Sequence, residues 1–342
     1  MILTYKISHN FHLQNEFEKA RQVADFAIKN RDKLSSKEVK HIGLKSVISN
    51  QILRKYGRNK KCKSISKVNL IIPGQCIKLK NNMLRLVPLG LEVDIRHLPT
   101  FKKVNQVEIS KSFVYVSVEV SEVLAFSPTA YVGLDRNVTQ HVAVLANPSN
   151  GNVLKLGKSC LHLRNKYKAL RSKAQQKRQF KFVKKLGKRE NNILKNLDHQ
   201  ISSKIIKYCV ENKAGLVLEG LKGIRNKKSK GKKINGMLHS WSFYQLETFL
   251  KYKALRNGVS IFKVDPRYTS QQCSKCGHIG IREGKKFSCQ NCKHFDHADA
   301  NAAFCIAKKH DQSDADRDVS ESLPIFPDYE KINTDEAQKG NA

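Results

Sequence analysis

The sequence predicts an α/β protein in two parts. A small antiparallel β unit with a helical insertion comes first, and a mixed sheet flanked by helices follows, with a metal-folded finger set into it. Three observations carry this reading. Residues 66 to about 126 alternate with period two or form short apolar runs bounded by turn residues. The later segments read in the order βββ-α-β-α-β-α. Cys273, Cys276, Cys289 and Cys292 form two CxxC pairs twelve residues apart, at which two tight knuckles offer four thiolates to one tetrahedral zinc.

Taken in order, Ile2 to Ser8 alternate weakly and predict a short strand. Phe11 to Lys33 carries Phe17, Ala20, Val23, Ala24, Ala27 and Ile28 at helical spacing. A second helix is expected from Ser36, where SSKE resembles a capping box, to Tyr56. The basic run GRNKKCKS ends this pair. The segments VNLIIPG, CIKLKNNMLRLVPLG and VEISKSFVYVSVEV then predict an antiparallel sheet or barrel, with a hairpin turn at Asn81 and Asn82. A strand, two helices and more strands make the helices an insertion, at about residues 11–57.

Ser127 and Pro128 mark the boundary. Beyond it, TAYVGLDRN predicts a buried strand ending in Asp135, and HVAVLANP and VLKLG complete an antiparallel meander. Leu161 to Asn212 predicts two long basic helices broken near Gly187, with Ile193, Leu197, Ile201, Ile205 and Cys209 as the buried stripe. AGLVLEGLKG is an apolar strand that ends at Glu219. The basic stretch IRNKKSKGKKINGMLHS has no apolar period and predicts a flexible loop. A helix from Trp241 to Asn257, the strand GVSIFKVDP, the finger and a helix from Ala300 to Lys309 follow. From Asp311 the chain turns acidic, as expected of a disordered tail.

The 342 residues carry a formal net charge of +35, with pI near 9.9. A surplus this large points to a polyanion, nucleic acid by default. Membrane binding is the runner-up, but apolar runs such as Leu84 to Val93 are short and broken by Arg85 and Pro88. The N-terminus lacks the layout of a signal peptide, so a cytoplasmic protein with reduced thiols is expected. Four thiolates close the coordination sphere, which makes the zinc structural. Cys62, Cys76, Cys160, Cys209 and Cys305 are expected as small buried hydrophobes. Trp241 and Tyr268 are expected in the core rather than stacked on bases.

Three carboxylates follow apolar runs: Asp135 on the first strand of the mixed sheet, Glu219 on the fourth, and Asp299 at the opening of the last helix. Acids in such places are costly unless they coordinate something. Converging on one sheet end, they could hold two Mg²⁺ or Mn²⁺ about 3.5–4 Å apart, an arrangement that clamps the attacking and leaving oxygens of a phosphodiester. Singly, each has a plainer reading, and Asp299 could be an N-cap.

The trio GLDRN, VLEGLKG and DADANAA, with YTSQQCSKCG and the finger between the second and third acids, resembles the OrfB/TnpB family of insertion-sequence proteins. Those are RNA-guided DNA endonucleases with a RuvC-type nuclease domain, relatives of the type V CRISPR effectors. The resemblance is strong from about residue 130 to 309. Over the first 126 residues it rests on layout, which is similar to the family's wedge and recognition domains. It implies an RNase H-like RuvC core at 127–264 and 296–310 that holds a zinc ribbon at 265–295. It also implies a wedge-like β domain at 1–126, which leaves an acidic tail at 311–342. It makes Asp135, Glu219 and Asp299 the catalytic acids, with Mg²⁺ as their metal. The implied partners are a guide RNA and double-stranded target DNA, and a separate transposase from the same element is a further candidate partner. One departure is that Arg136 and Asn137 follow Asp135, where many relatives have a small residue or glycine two positions on. The expected function is RNA-guided, metal-dependent DNA cleavage. The alternatives are a nuclease-silent RNA-guided repressor, a transposase acting in strand transfer, and a zinc-ribbon RNA-binding protein.

Overall fold

The computed structural model describes residues 1–32, 34–121, 123–137, 140–221 and 243–313. The basic stretch at 222–240, Trp241 and the acidic segment beyond 313 lie outside the described residues. The chain divides into two compact units, Met1–Glu122 and Val123–Ala342.

In the first unit, strand β1 (Ile2–Ser8) pairs antiparallel along its whole length with β7 (Phe113–Glu119). The sheet continues through β6 (Lys103–Ile109) to β2 (Leu70–Pro73), in the order β1-β7-β6-β2. Helices α1 (Gln14–Lys29) and α2 (Ser46–Gly57) fall between β1 and β2 in the chain, as an insertion. Period-two burial puts Val114, Val116 and Val118 of β7 in one core with Val23 and Ala24 of α1 and Ile48 and Ile52 of α2. A second sheet joins β3 (Ile77–Lys80), β4 (Met83–Leu86) and β5 (Leu91–Asp94). Asn81 and Asn82 make the β3–β4 turn with φ of 48° and 59°, the left-handed pair that a two-residue hairpin of this twist requires.

The second helix starts ten residues later than its capping-box pattern predicts. The Ser35 hydroxyl accepts the Lys37 N–H at 3.3 Å and closes a local turn instead of a cap. A short 3₁₀ turn, Lys40–Ile42, then ends at Gly43 with φ 74° before α2 begins. Of the scattered cysteines, Cys160, Cys209 and Cys305 are buried, whereas Cys62 and Cys76 are only partly covered.

The second unit holds a five-stranded mixed sheet in the order β10-β9-β8-β11-β12. Strands β8 (Ala130–Arg136), β9 (Ala143–Ala146) and β10 (Val153–Leu156) form the expected antiparallel meander. On the other side, β11 (Ala214–Glu219) and β12 (Ile261–Val264) run parallel to β8. Helices α3 (Ser159–Gln176), α4 (Phe180–Glu211) and α5 (Phe243–Arg256) belong to this unit. Leu134, Leu216 and Leu218 pack on one face against Ile201 and Ile205 of α4 and Leu246 and Leu250 of α5. Helix α6 (Ala298–Ser313) covers the other face, with Ala300 and Ala303 against Val144 and Ala146, and Ile306 against Val217 and Val264. Central strands covered on both faces read as continuous apolar runs, which is why YVGL and GLVL lack alternation.

The α3–α4 break falls at residues 177–179 and not near Gly187. Arg178 takes φ 53°, and the Gln179 N–H closes the end of α3 on the Ala174 carbonyl. Gly187 lies inside α4 with open space around it, so the flanking turns carry the helix through a residue that weakens it only modestly. The inner stripe of α4 also differs: Ile193 and Leu197 are half-buried, while Leu186, Glu190, Leu194 and Asp198 take the buried line. Glu190 is tolerated there because Arg171 of α3 pairs with it. Tyr268 departs from its core assignment as well. It sits 62% exposed at φ 61°, in the turn that enters the finger. No helix among the described residues is long and apolar enough to cross a membrane.

Gly133 sets how closely α6 approaches β8. A Cβ there would lie 2.0 Å from the Ala303 carbonyl oxygen and 2.5 Å from the Ala307 nitrogen, both backbone atoms that cannot turn aside. Gly133→Val should therefore lower the melting midpoint by roughly 5–10 °C through overpacking. An unchanged thermal melt would contradict this contact.

Candidate metal centres and the carboxylate cluster

The finger consists of β13 (Ile281–Glu283), β14 (Lys286–Ser288) and β15 (Phe295–His297), an antiparallel sheet beneath two knuckles. Each knuckle repeats one design. The Cys273 N–H donates to the His278 carbonyl and the Cys289 N–H to the His294 carbonyl, both at 2.8 Å. The residue after each CxxC is left-handed, Gly277 at φ 78° and Lys293 at φ 56°. The Sγ atoms of Cys273 and Cys292 lie 3.6 Å apart and those of Cys276 and Cys289 3.5 Å, and all four fall within 4.8 Å of one another. Bonds of about 2.3 Å to a tetrahedral zinc place sulfurs about 3.8 Å apart, whereas a disulfide needs about 2.05 Å. The His278 N–H aimed at the Cys276 sulfur holds that thiol down to about 5, while Cys292, despite the His294 N–H, is pushed up to about 12 by desolvation and the neighbouring thiols. The cluster fits a structural zinc in a zinc ribbon.

The three acids gather where the ends of β8 and β11 meet the start of α6. Asp135 is the penultimate residue of β8 and Glu219 the last of β11. The parallel ladder pairs Leu134 with Leu218, so the two acids are the next positions along neighbouring strands. Asp299, fully buried, is the second residue of α6. Burial, then the charges of Glu219 and Asp299, push the Asp135 carboxyl up to about 7, against the Asn137 amide that donates to its Oδ2 at 2.7 Å. Burial also raises Glu219, while the Thr269 hydroxyl donates to its Oε1 and Arg136, Lys309 and Arg282 oppose the rise.

Both oxygens of Asp299 are taken. Arg282 Nη2 donates to Oδ1 at 3.0 Å and Lys285 Nζ to Oδ2 at 2.6 Å, each from the β13–β14 hairpin of the finger. Among the described residues the cysteines are the set whose ligand atoms all lie within 4.8 Å of one another, and the three carboxylates are not drawn together that tightly. Asn301, fully buried one residue beyond Ala300, ties the finger to the same helix. Its Oδ1 accepts the Ser274 N–H at 2.8 Å, and its Nδ2 donates to the Gln272 carbonyl at 2.7 Å. Arg282, Lys285, Thr269 and Asn301 escape the sequence reading. The first two look like ordinary surface charges, and only the polar residues inside the YTSQQ and DANAA segments could have signalled the others.

The pH dependence follows from Asp135. A carboxyl that titrates near 7 when folded and near its ordinary 3.8 when free contributes stability below about pH 4, which is lost as pH rises through 7. The change is on the order of 4 kcal/mol. In metal-free protein, melting should fall more between pH 5 and pH 8 for wild type than for Asp135→Asn, which stays neutral. Equal slopes would contradict the buried, charge-crowded placement.

The family model for the Cas12f1-like TNB domain matches residues 243–306. A CRISPR-associated endodeoxyribonuclease Cas12f1 of Syntrophomonas palmitatica is 28% identical over 163 residues, 46% of this chain and 30% of that protein. A TnpB-like protein of Aquifex aeolicus is 32% identical over 35% of this chain and 42% of its own length. A putative RNA-guided DNA endonuclease, InsQ, of Escherichia coli K12 is 30% identical over 215 residues, 55% of this chain and 52% of its own length. Each match thus spans about half of the curated relative or less. In structure, the chain is similar to a Cas12f1 protein solved with sgRNA and target DNA, at TM-score 0.46 and 18% identity, covering 91% of this chain and 100% of that one. Over the matched residues this chain is similar to TnpB-like proteins and to Cas12f1 endodeoxyribonucleases, which supports the resemblance to the TnpB/OrfB family and its type V relatives.

Proposed function

We propose that the chain is an RNA-guided, Mg²⁺-dependent DNA endonuclease of a transposable element, and that it cleaves phosphodiester bonds at Asp135, Glu219 and Asp299. The carrying observation is the convergence of three desolvated acids from β8, β11 and α6, with the Asp135 carboxyl pushed up to about 7. Acids crowded so that one resists ionisation are what a divalent cation relieves, and hard oxygen donors suit Mg²⁺ or Mn²⁺. In this reading residues 127–264 and 296–310 are a RuvC-like core, 265–295 its zinc ribbon and 1–126 a wedge-like domain.

Metal ions bound by the three acids would supply a water of lowered pKa and neutralise charge on the departing oxygen, the two-metal arrangement. The chain's own residues do the positioning. Asn137 orients Asp135, and Thr269 fixes one oxygen of Glu219. Arg282 and Lys285 hold Asp299 in the metal-free chain and, once a cation takes its oxygens, leave positive charge at the edge of the site, where a phosphate carries the opposite sign. Because both cations and the Asn301 contacts come from the finger, the cysteine cluster supports Asp299 without touching substrate. The net charge of +35 supports a nucleic-acid partner held by its backbone, which suits a protein that leaves sequence recognition to base pairing.

The test is cleavage of a target plasmid by the purified complex with its copurifying RNA and Mg²⁺. Asp135→Ala should abolish cleavage and leave RNA and DNA binding nearly unchanged. Cleavage retained by Asp135→Ala would remove that residue from the site. A wild-type complex that binds its target and leaves it intact would favour the nuclease-silent repressor.

A further inference from the structure

Arg136, next to Asp135 on β8, is buried, with a side chain 1% exposed. Its guanidinium meets two different groups. Nη1 pairs with Glu247 Oε2 of α5 at 2.9 Å, and Nη2 donates to the backbone carbonyl of Glu219 at 2.7 Å. The second bond lies where the sheet runs out. The β8–β11 ladder stops at Leu134↔Leu218, so the Glu219 carbonyl is the first beyond the last rung, and Arg136 supplies the bond that the ladder no longer does. The anchor is itself held. Lys263 of β12 and Lys251 of α5 reach Glu247 Oε1 at 2.6 and 3.2 Å. Burial would raise the Glu247 carboxyl, but Lys263 and Arg136 outweigh it and keep it near 2.

A network this buried is a poor means to stability. Desolvation offsets most of the Coulombic gain, and apolar replacements of the same volume are often neutral or better. Arg136 Nε even lacks a hydrogen-bond partner among the described residues. What an apolar pair cannot do is reach the Glu219 carbonyl. We propose that Arg136 is a positioning residue for the metal-binding acids, a side-chain rung that locks the ends of β8 and β11 in register so that Asp135 and Glu219 present their carboxylates together, with Glu247 as its anchor. This rests on the reading of those acids as a divalent-cation site.

The experiment measures Mn²⁺ binding to the zinc-loaded full-length protein by electron paramagnetic resonance, beside thermal melts. Wild type, Asp135→Ala, Arg136→Met, Arg136→Lys and the double variant Arg136→Met/Glu247→Met are compared. Arg136→Met should weaken Mn²⁺ binding about 10–100-fold, the usual loss when a group behind metal ligands is removed. Arg136→Lys should recover part of the loss. The double variant removes both charges of the buried pair and leaves Lys251 and Lys263, whose side chains are each 24% exposed, to solvent; it should melt closer to wild type than Arg136→Met does and still bind Mn²⁺ as weakly. A double variant that regains both stability and affinity would overturn the proposal by reducing Arg136 to half of an ion pair. If Asp135→Ala leaves wild-type Mn²⁺ binding unchanged, the carboxylate site itself is refuted, and the positioning role with it.

Discussion

The second unit depends on the contact of α6 with β8 at Gly133. A side chain on that residue would run into the Ala303 and Ala307 backbone, and without one the helix lies directly on the central strand. Ala300 and Ala303 complete a face of small residues against β9, which permits the same closeness along the first turns. The alanine-rich segment that ends the described chain and the single glycine in the first buried strand are two halves of one steric requirement. Their closeness seats the start of α6 beside the strand ends and buries Asp299 completely next to Asp135 and Glu219.

Bringing two buried acids and a half-buried third together would be untenable unless something answered their charge. In the metal-free chain the answer comes from two directions. From the finger, Arg282 and Lys285 take both oxygens of Asp299. From the strands and the loop before the finger, Asn137 and Thr269 hydrogen-bond Asp135 and Glu219. Asp135 still titrates near 7, so the compensation is incomplete, and the shortfall is what argues for a cation. The finger therefore acts as part of the site's framework. Phe287 packs with Cys273, Cys289 and Ala298 in one small core, one residue from Asp299, so the order of the cysteine cluster passes directly into the first turn of α6.

The parts of this arrangement with a strong local signature could be read from the sequence. CxxC spacing, apolar strands ended by an acid, the meander and the Asn81–Asn82 hairpin each follow from chemistry within a few neighbouring residues. What was not legible depends on contacts made across the fold. SSKE offers a helix cap, yet Ser35 spends its hydroxyl on a turn and α2 waits for Ser46. Gly187 invites a break that packing carries α4 through, whereas Arg178, with no glycine to advertise it, makes the turn. Arg282 and Lys285 look like two more positive charges in a chain with many, and only the fold aims them at Asp299. The pair Arg136–Asn137 stands out in the sequence after Asp135, but the bond of Arg136 to the Glu219 carbonyl joins residues far apart in the chain.

The proposed function stands on Asp135, Glu219 and Asp299 forming one divalent-cation site. A crystal structure of the zinc-loaded protein grown with Mn²⁺, phased to show anomalous scattering from manganese, tests it most directly. Manganese is expected between the three carboxylates, with the oxygens of Asp299 turned from Lys285 and Arg282 toward the ion. A map with zinc in the cysteine cluster, no manganese at the acids, and Asp299 still clasped by both cations would contradict it.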